Sequence, residues 1–182
     1  MKRRLLPILM TLVLVCALPI WAAFVTSGDV TNPLVSTAWA TLPDLQAKID
    51  AAADNATITL DSDTTITETL VITGKTLTLD LNGYTLRMTG NRSVLCVYNG
   101  ATLTITDSST AKSGTITGGN AEDGDGGGVY VKAYATLEMT GGCITGCRAE
   151  DGGGVYIDNN ATLKMTGGCI TDCHAIYGGG IY

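Results

Sequence analysis

The sequence predicts an all-β fold, a parallel β-solenoid, and three observations carry that reading. First, a segment repeats every 26 residues. GGGVYVKAYATLEMTGGCITGCRAED (126–151) and GGGVYIDNNATLKMTGGCITDCHAIY (152–177) agree at 17 of 26 positions, and a third copy opens as GGGIY at 178–182. Second, the apolar period inside each copy is two. Val129 and Val131 alternate with Tyr130 and Lys132, and Leu137 and Met139 alternate with Thr136, Glu138 and Thr140. Alternation in short runs separated by Gly pairs and triplets marks half-buried strands joined by tight turns. Third, composition agrees. Of 182 residues, 28 are Thr and 23 are Gly, and 15% are charged against roughly 25% in an average domain. β-Branched residues favour strands and Gly favours turns. These proportions exclude a coiled coil, a helical bundle and a basic nucleic-acid-binding domain.

The elements follow in chain order. Lys2, Arg3 and Arg4 precede an uncharged apolar run from Leu5 to Val25 that contains Ala22 and Ala23. This is the layout of a secretory signal peptide, placed at residues 1–23. The competing reading is an uncleaved membrane anchor, since about 20 apolar residues span a bilayer. Pro7 and Pro19 inside the run, and no basic stop after it, favour cleavage. The expectation is a secreted or cell-surface protein with no membrane contact after cleavage. Eight basic against 17 acidic side chains then remain, a net charge of −9, which argues against nucleic acid as a partner. Residues 24–40 show no period and read as a linker. Residues 41–54 predict a capping helix. Thr41 to Asp44 form a capping-box variant, and Leu42, Leu45, Ile49 and Ala53 recur at helical spacing. Such a helix would cover the open end of a solenoid core.

Residues 55–182 predict the solenoid itself, with three strands per coil. Weaker copies lie upstream: KTLTLD (75–80) aligns with ATLTIT (101–106), 26 apart. LCVYNGATLTI (95–105) aligns with VYVKAYATLEM (129–139) at a spacing of 34, the difference fitting a loop around DSSTAKS (107–113). The chain stops at Tyr182 in mid-strand, which reads as truncation of a longer product. Stacking at 26 residues would set Lys132 over Asp158 and Glu138 over Lys164, two outward pairs of opposite sign. The Gly triplets are each followed by a strand and not a helix, so they read as corners and not as a phosphate cradle.

LDLNGYTL (79–86), GTITGG (114–119) and the repeated GGGVYV/I…ATLxMTGGCIT resemble right-handed parallel β-helix proteins of the pectin-lyase-like superfamily. The resemblance is nearest to large adhesin-like surface proteins secreted by bacteria, with Cys standing here where Asn or Thr is usual. It implies a right-handed parallel β-helix of about 26 residues per coil and says little about activity, because unrelated proteins share such coils.

Several residues qualify as sites, each with a structural alternative. Cys143, Cys147, Cys169 and Cys173 form Cys-x3-Cys twice, 26 apart. Stacked α-carbons at about 5 Å permit inter-coil disulfides, with a ladder of reduced thiols or a zinc ion as alternatives; Cys96 has no evident partner. Tyr130, Tyr156 and Tyr182 occupy one position of three coils. They form either an aromatic strip for a glycan or a ladder that only stabilises the sheet. Asp125 stacks over Asp151, with Glu122, Asp123 and Glu150 near in sequence. Calcium is the one cofactor this acidic cluster would take, and a solvated loop is the alternative. His174 has no Ser or acid arranged around it as a triad would need. The function expected is a non-catalytic stalk or adhesin-like module binding glycan or surface protein. The alternative is part of an extracellular polysaccharide lyase or glycoside hydrolase of the same superfamily.

Overall fold

A computed structural model describes residues 43–182, which form a parallel β-solenoid of about four turns behind one short helix. The expected export signal, the linker and the first residues of the capping segment lie outside the described residues. Five stacked levels succeed one another. The first holds β1 (Ala56–Thr59) and β2 (Thr64–Ile66). The second holds β3 (Leu70–Thr73), β4 (Thr76–Asp80) and β5 (Thr85–Met88). The third holds β6 (Leu95–Tyr98), β7 (Thr102–Thr106), β8 (Thr115–Thr117) and β9 (Asn120–Asp125). The fourth holds β10 (Val129–Val131), β11 (Thr136–Met139), β12 (Cys143–Thr145) and β13 (Arg148–Asp151). The fifth holds β14 (Val155–Ile157), β15 (Thr162–Met165), β16 (Cys169–Thr171) and β17 (His174–Tyr177).

Every strand pairs in parallel with its counterpart one level away, giving sheets β1-β4-β7-β11-β15, β3-β6-β10-β14, β2-β5-β8-β12-β16 and β9-β13-β17. Period two in each strand sends alternate side chains inward, and parallel register stacks like on like. Leu77, Leu103, Leu137 and Leu163 form one ladder; Leu70, Leu95, Val129 and Val155 form a second; Leu86, Ile116, Ile144 and Ile170 form a third. Through the fourth level these side chains are fully buried. The 26-residue spacing holds between the last two levels and again between β4 and β7, where Thr76 faces Thr102, whereas other pairings depart from it. Ala56 faces Leu77, Thr85 faces Thr115 and Leu95 faces Val129. Turns absorb those differences while the strands keep register.

Helix α1 (Pro43–Ala51) caps the first level. Leu45 and Ile49 are buried in the core. The helix ends sooner than its sequence pattern predicts: Ala53 lies beyond it and is exposed, and Ala52 packs against the core instead. Gln46 replaces a missing strand at the free edge of β3. Its Oε1 accepts from Val71 N at 2.8 Å and its Nε2 donates to Val71 O at 3.1 Å. Lys75 Nζ donates to the carbonyls of Ile49, Asp50 and Ala52 at 3.0–3.1 Å. That satisfies the orphaned C-terminal carbonyls of the helix with a cation on the favourable side of its dipole.

Two expectations require correction. The later levels carry four strands, not three. Arg148–Asp151, expected as an acidic loop, pairs with His174–Tyr177 and with Asn120–Asp125. Of its side chains Ala149 alone turns inward, so no apolar alternation announces the strand. Of the two predicted ion pairs one closes, Lys164 Nζ to Glu138 Oε1 at 3.4 Å. Lys132 instead lies over two tyrosine rings, 5.1 Å from the Tyr130 centroid and 5.9 Å from that of Tyr98. An aromatic face competes well with a solvated carboxylate for an exposed ammonium.

The Gly triplets form corners in which each glycine is needed for a different reason. Gly126 and Gly152 have φ of +69° and +63°, where a side chain is strained. At Gly127 the obstacle is backbone: a Cβ there would lie 2.3 Å from Arg148 O. The corner is itself hydrogen-bonded level to level, from Gly127 N to Gly152 O at 3.1 Å and from Gly128 N to Gly153 O at 3.2 Å. We therefore expect Gly127→Ala to destabilise by about 1–3 kcal/mol or more, since carbonyls locked in a ladder have nowhere to move. Gly124→Ala, whose Cβ meets nothing within 4 Å, should stay close to the parent. Urea titrations followed by circular dichroism measure both; equal stability would show that the corner yields.

Candidate functional site

The tyrosine row emerges from the same register as the core. In β10 and β14 the valines turn inward, so Tyr130 and Tyr156 must turn outward, directly paired. Tyr182 extends the row above a Val155–Ile181 bridge. Ring centroids are 5.1 Å apart for Tyr130 and Tyr156, edge to face, and 5.6 Å apart for Tyr156 and Tyr182, stacked. Cys96 lies below Tyr130 in the same row, with a thiol that burial pushes upward in pKa. Lys132 covers one flank of the row. Burial, with the Asp125 and Asp158 carboxylates close by, pushes the Tyr130 phenol up to about 12. Tyr156 is raised for the same reasons. The row is thus a neutral aromatic surface with hydroxyl edges and a negative surround.

The four stacked cysteines divide into two unlike pairs. Cys143 and Cys169 face outward and are disulfide-bonded, with α-carbons 4.6 Å apart. Cys147 and Cys173 are thiols, one fully buried and the other half-buried. The Cys147 thiol donates to Thr145 O at 3.5 Å and the Cys173 thiol to Thr171 O at 3.2 Å. The neighbouring Cys147 draws Cys173 below the ordinary thiol range, and Cys173 together with burial pushes Cys147 above it. The four sulfurs do not gather as zinc would need, and among the described residues no three His, Cys, Asp or Glu side chains converge.

Asp125 and Asp151 stand in register on β9 and β13. Asp151 Oδ1 is buried and has no hydrogen-bond partner among the described residues. Calcium takes about six to eight oxygens, of which this pair supplies part. The side chains of Glu122 and Asp123 lie outside the described part of the structure, and Glu150 is exposed. His174 pairs with Arg148 across the fourth sheet.

The sequence reading missed the carboxylates that work hardest. Asp107 is 2% exposed; its Oδ1 accepts from Gly83 N at 2.9 Å and Ser109 N at 3.0 Å, and its Oδ2 from Gly114 N at 2.7 Å. Asp80 Oδ1 accepts from Asn82 N and Ser108 N, each at 2.9 Å. Asp54 and Asp63 receive the N–H of Thr76 and Thr85 from the next level. Burial raises the Asp107 carboxyl, but the Ser109 hydroxyl and three backbone N–H groups outweigh it and leave the pKa lowered. Asp80 is lowered by the same balance. An Asp two residues ahead of Asn-Gly, or directly before Ser-Ser, was the available signal, being the pattern of side chains that cap their own turn two residues on.

Compared with known proteins, the chain matches no family model, no curated protein and no solved structure.

Two outcomes follow from these geometries. A lowered folded pKa makes a carboxylate stabilising above the unfolded value, about pH 4, and that stability disappears as pH falls through the folded value. Asp107→Asn, which sets an amide N–H against a backbone donor, should cost about 1–3 kcal/mol at pH 7 and lose less stability than the parent between pH 5 and 3. Thermal melts across that range test it; identical pH slopes would dismiss the carboxylate as a staple. Among the free thiols, Cys173 should react with iodoacetamide at pH 7.5 about tenfold faster than Cys147 or Cys96. Peptide mapping reads the order, and preferential labelling of Cys147 would contradict it.

Proposed function

We propose that this chain is a non-catalytic extracellular or cell-surface module whose outer tyrosine face binds glycan or other surface ligands, as an adhesin or stalk does. The observation that carries the reading is the continuous outward row Tyr130–Tyr156–Tyr182, held by the same register that builds the core. Aromatic side chains with polar tips provide large contact area at small entropic cost. The carboxylates support a binding role over acid/base chemistry. Glu138 is paired with Lys164, while Asp54, Asp63, Asp80 and Asp107 accept backbone N–H groups. The export signal read from residues 1–23 and the resemblance to pectin-lyase-like, adhesin-like bacterial surface proteins support an extracellular setting for such a module. They also make the right-handed coil the expected one.

A glycan array probed with the full chain tests the proposal. Binding to at least one glycan class is expected, with Tyr156→Ala weakening it about tenfold, the order of a lost aromatic anchor. Binding that Tyr156→Ala leaves untouched would remove the tyrosine face from the account.

A further inference from the structure

The repetition is interrupted beneath β9, and that interruption is a groove. The sheet β9-β13-β17 begins at the third level, whereas the level below turns through residues 90–93 without a strand. That leaves β9 as an edge strand. It is tied to the turn beneath at its two ends, by Asn120 N to Arg92 O at 3.0 Å and Ser93 Oγ to Asp125 O at 3.1 Å. Between these ties, strand and turn enclose an open groove of about 440 Å³, lined by Asn91, Arg92, Asn120, Gly124 and Asp125, with Tyr130 beside them. The volume falls within the roughly 300–1,000 Å³ of small-molecule clefts.

The groove holds an acceptor with nothing to accept. Asn120 Nδ2 donates to Asn91 Oδ1 at 3.4 Å, while Asn120 Oδ1 is buried and has no hydrogen-bond partner among the described residues. Buried carbonyl oxygens are nearly always paired, so an unpaired one at a groove favours a ligand that brings a hydroxyl or amide hydrogen. Charge narrows the class. The Arg92 guanidinium is engaged by Glu68 at 3.3 Å, and Asp125 presents a carboxylate beside the Tyr130 ring. An anionic ligand would meet the Asp125 carboxylate, with Lys132 held against the Tyr130 ring and outside the groove lining, whereas a neutral polyol meets acceptors and an aromatic face.

We infer that this groove receives the end of a neutral glycan, roughly one or two sugar rings by its volume. Sugar hydroxyls donate to Asn120 Oδ1 and Asp125, and one ring face lies on Tyr130. The inference rests on the glycan reading of the tyrosine face and adds to it a place and a ligand class. An extended peptide pairing along β9 fits less well, because the register of β9 against β13 slips between the Ala121–Ala149 and Asp125–Asp151 pairs, and a bulged edge breaks continuous strand addition.

The test titrates the full chain with neutral di- and trisaccharides of glucose, galactose, mannose and N-acetylhexosamine, and with trigalacturonate as the anionic member. A library of extended peptides serves as competitor. Expected are saturable binding of a neutral member and binding of trigalacturonate at least tenfold weaker. Asn120→Ala should weaken the neutral member about five- to tenfold, the order of one lost hydrogen bond. Glu138→Gln, on a distant sheet, should leave binding unchanged. The exposed Asn91→Ala, which removes the bond orienting the Asn120 amide, should weaken binding in the same direction if Asn120→Ala folds poorly. Uronate binding as tight as neutral sugar, full affinity in both Asn variants, or displacement by peptide would each overturn the inference. If Tyr156→Ala abolishes binding while both Asn variants retain it, the groove is wrong and the tyrosine face stands. If no glycan binds the intact chain, both fall.

Discussion

Parallel pairing of each level with the next is the constraint on which the rest of this molecule depends. A backbone that must bond to its own copy about 4.8 Å away has no freedom to vary direction, only the contents of its turns. Whatever turns inward on one level sits on its counterpart, so the interior must be built from aliphatics of matched size. Leu137 on Leu163 and Ile144 on Ile170 are the consequence. Whatever turns outward is multiplied in the same way, and an outward tyrosine becomes a row. The corners must let backbone approach backbone, which reserves Gly127 and Gly128 for residues without a Cβ.

Such a lattice has unsatisfied ends and corners, and polar side chains are spent closing them. Gln46 makes the two bonds that a strand below β3 would have made, so the capping helix joins the sheet as well as covering its core. Asp54, Asp63, Asp80 and Asp107 staple backbone N–H groups where turns leave the ladder. Much of the acidic excess is therefore structural. The place where closure is incomplete, the step beneath β9, is also where side chains are unique to their position. A regular lattice offers every ligand the same surface many times, and a step offers a shaped one.

The apolar ladders of the last two levels, the Glu138–Lys164 pair and the tyrosine row were legible from the 26-residue repeat, because parallel register converts sequence spacing directly into contact. Departures arose wherever that conversion does not operate. The strand Arg148–Asp151 has one inward alanine and three polar neighbours, so only its partners identify it as a strand. Ala53 continues a helical spacing that the chain abandons at Ala51, where Lys75 closes the helix. Lys132 had a carboxylate one level away and lies instead over two aromatic rings, a choice that side-chain conformation decides.

Repetition by itself determined the architecture, the inward and outward faces and which residues stack, since each follows from period and register. Tertiary structure decided what the non-repeating residues do. Identical spacing left Cys143–Cys169 bonded outside and Cys147 and Cys173 as unlike thiols, because strand pleat turns the first pair to the surface and a corner turns Cys147 inward. It also decided that Asp107 is buried and held while Asp125 borders a groove. Burial and hydrogen-bond supply are properties of the surrounding levels, and no single stretch of chain carries them.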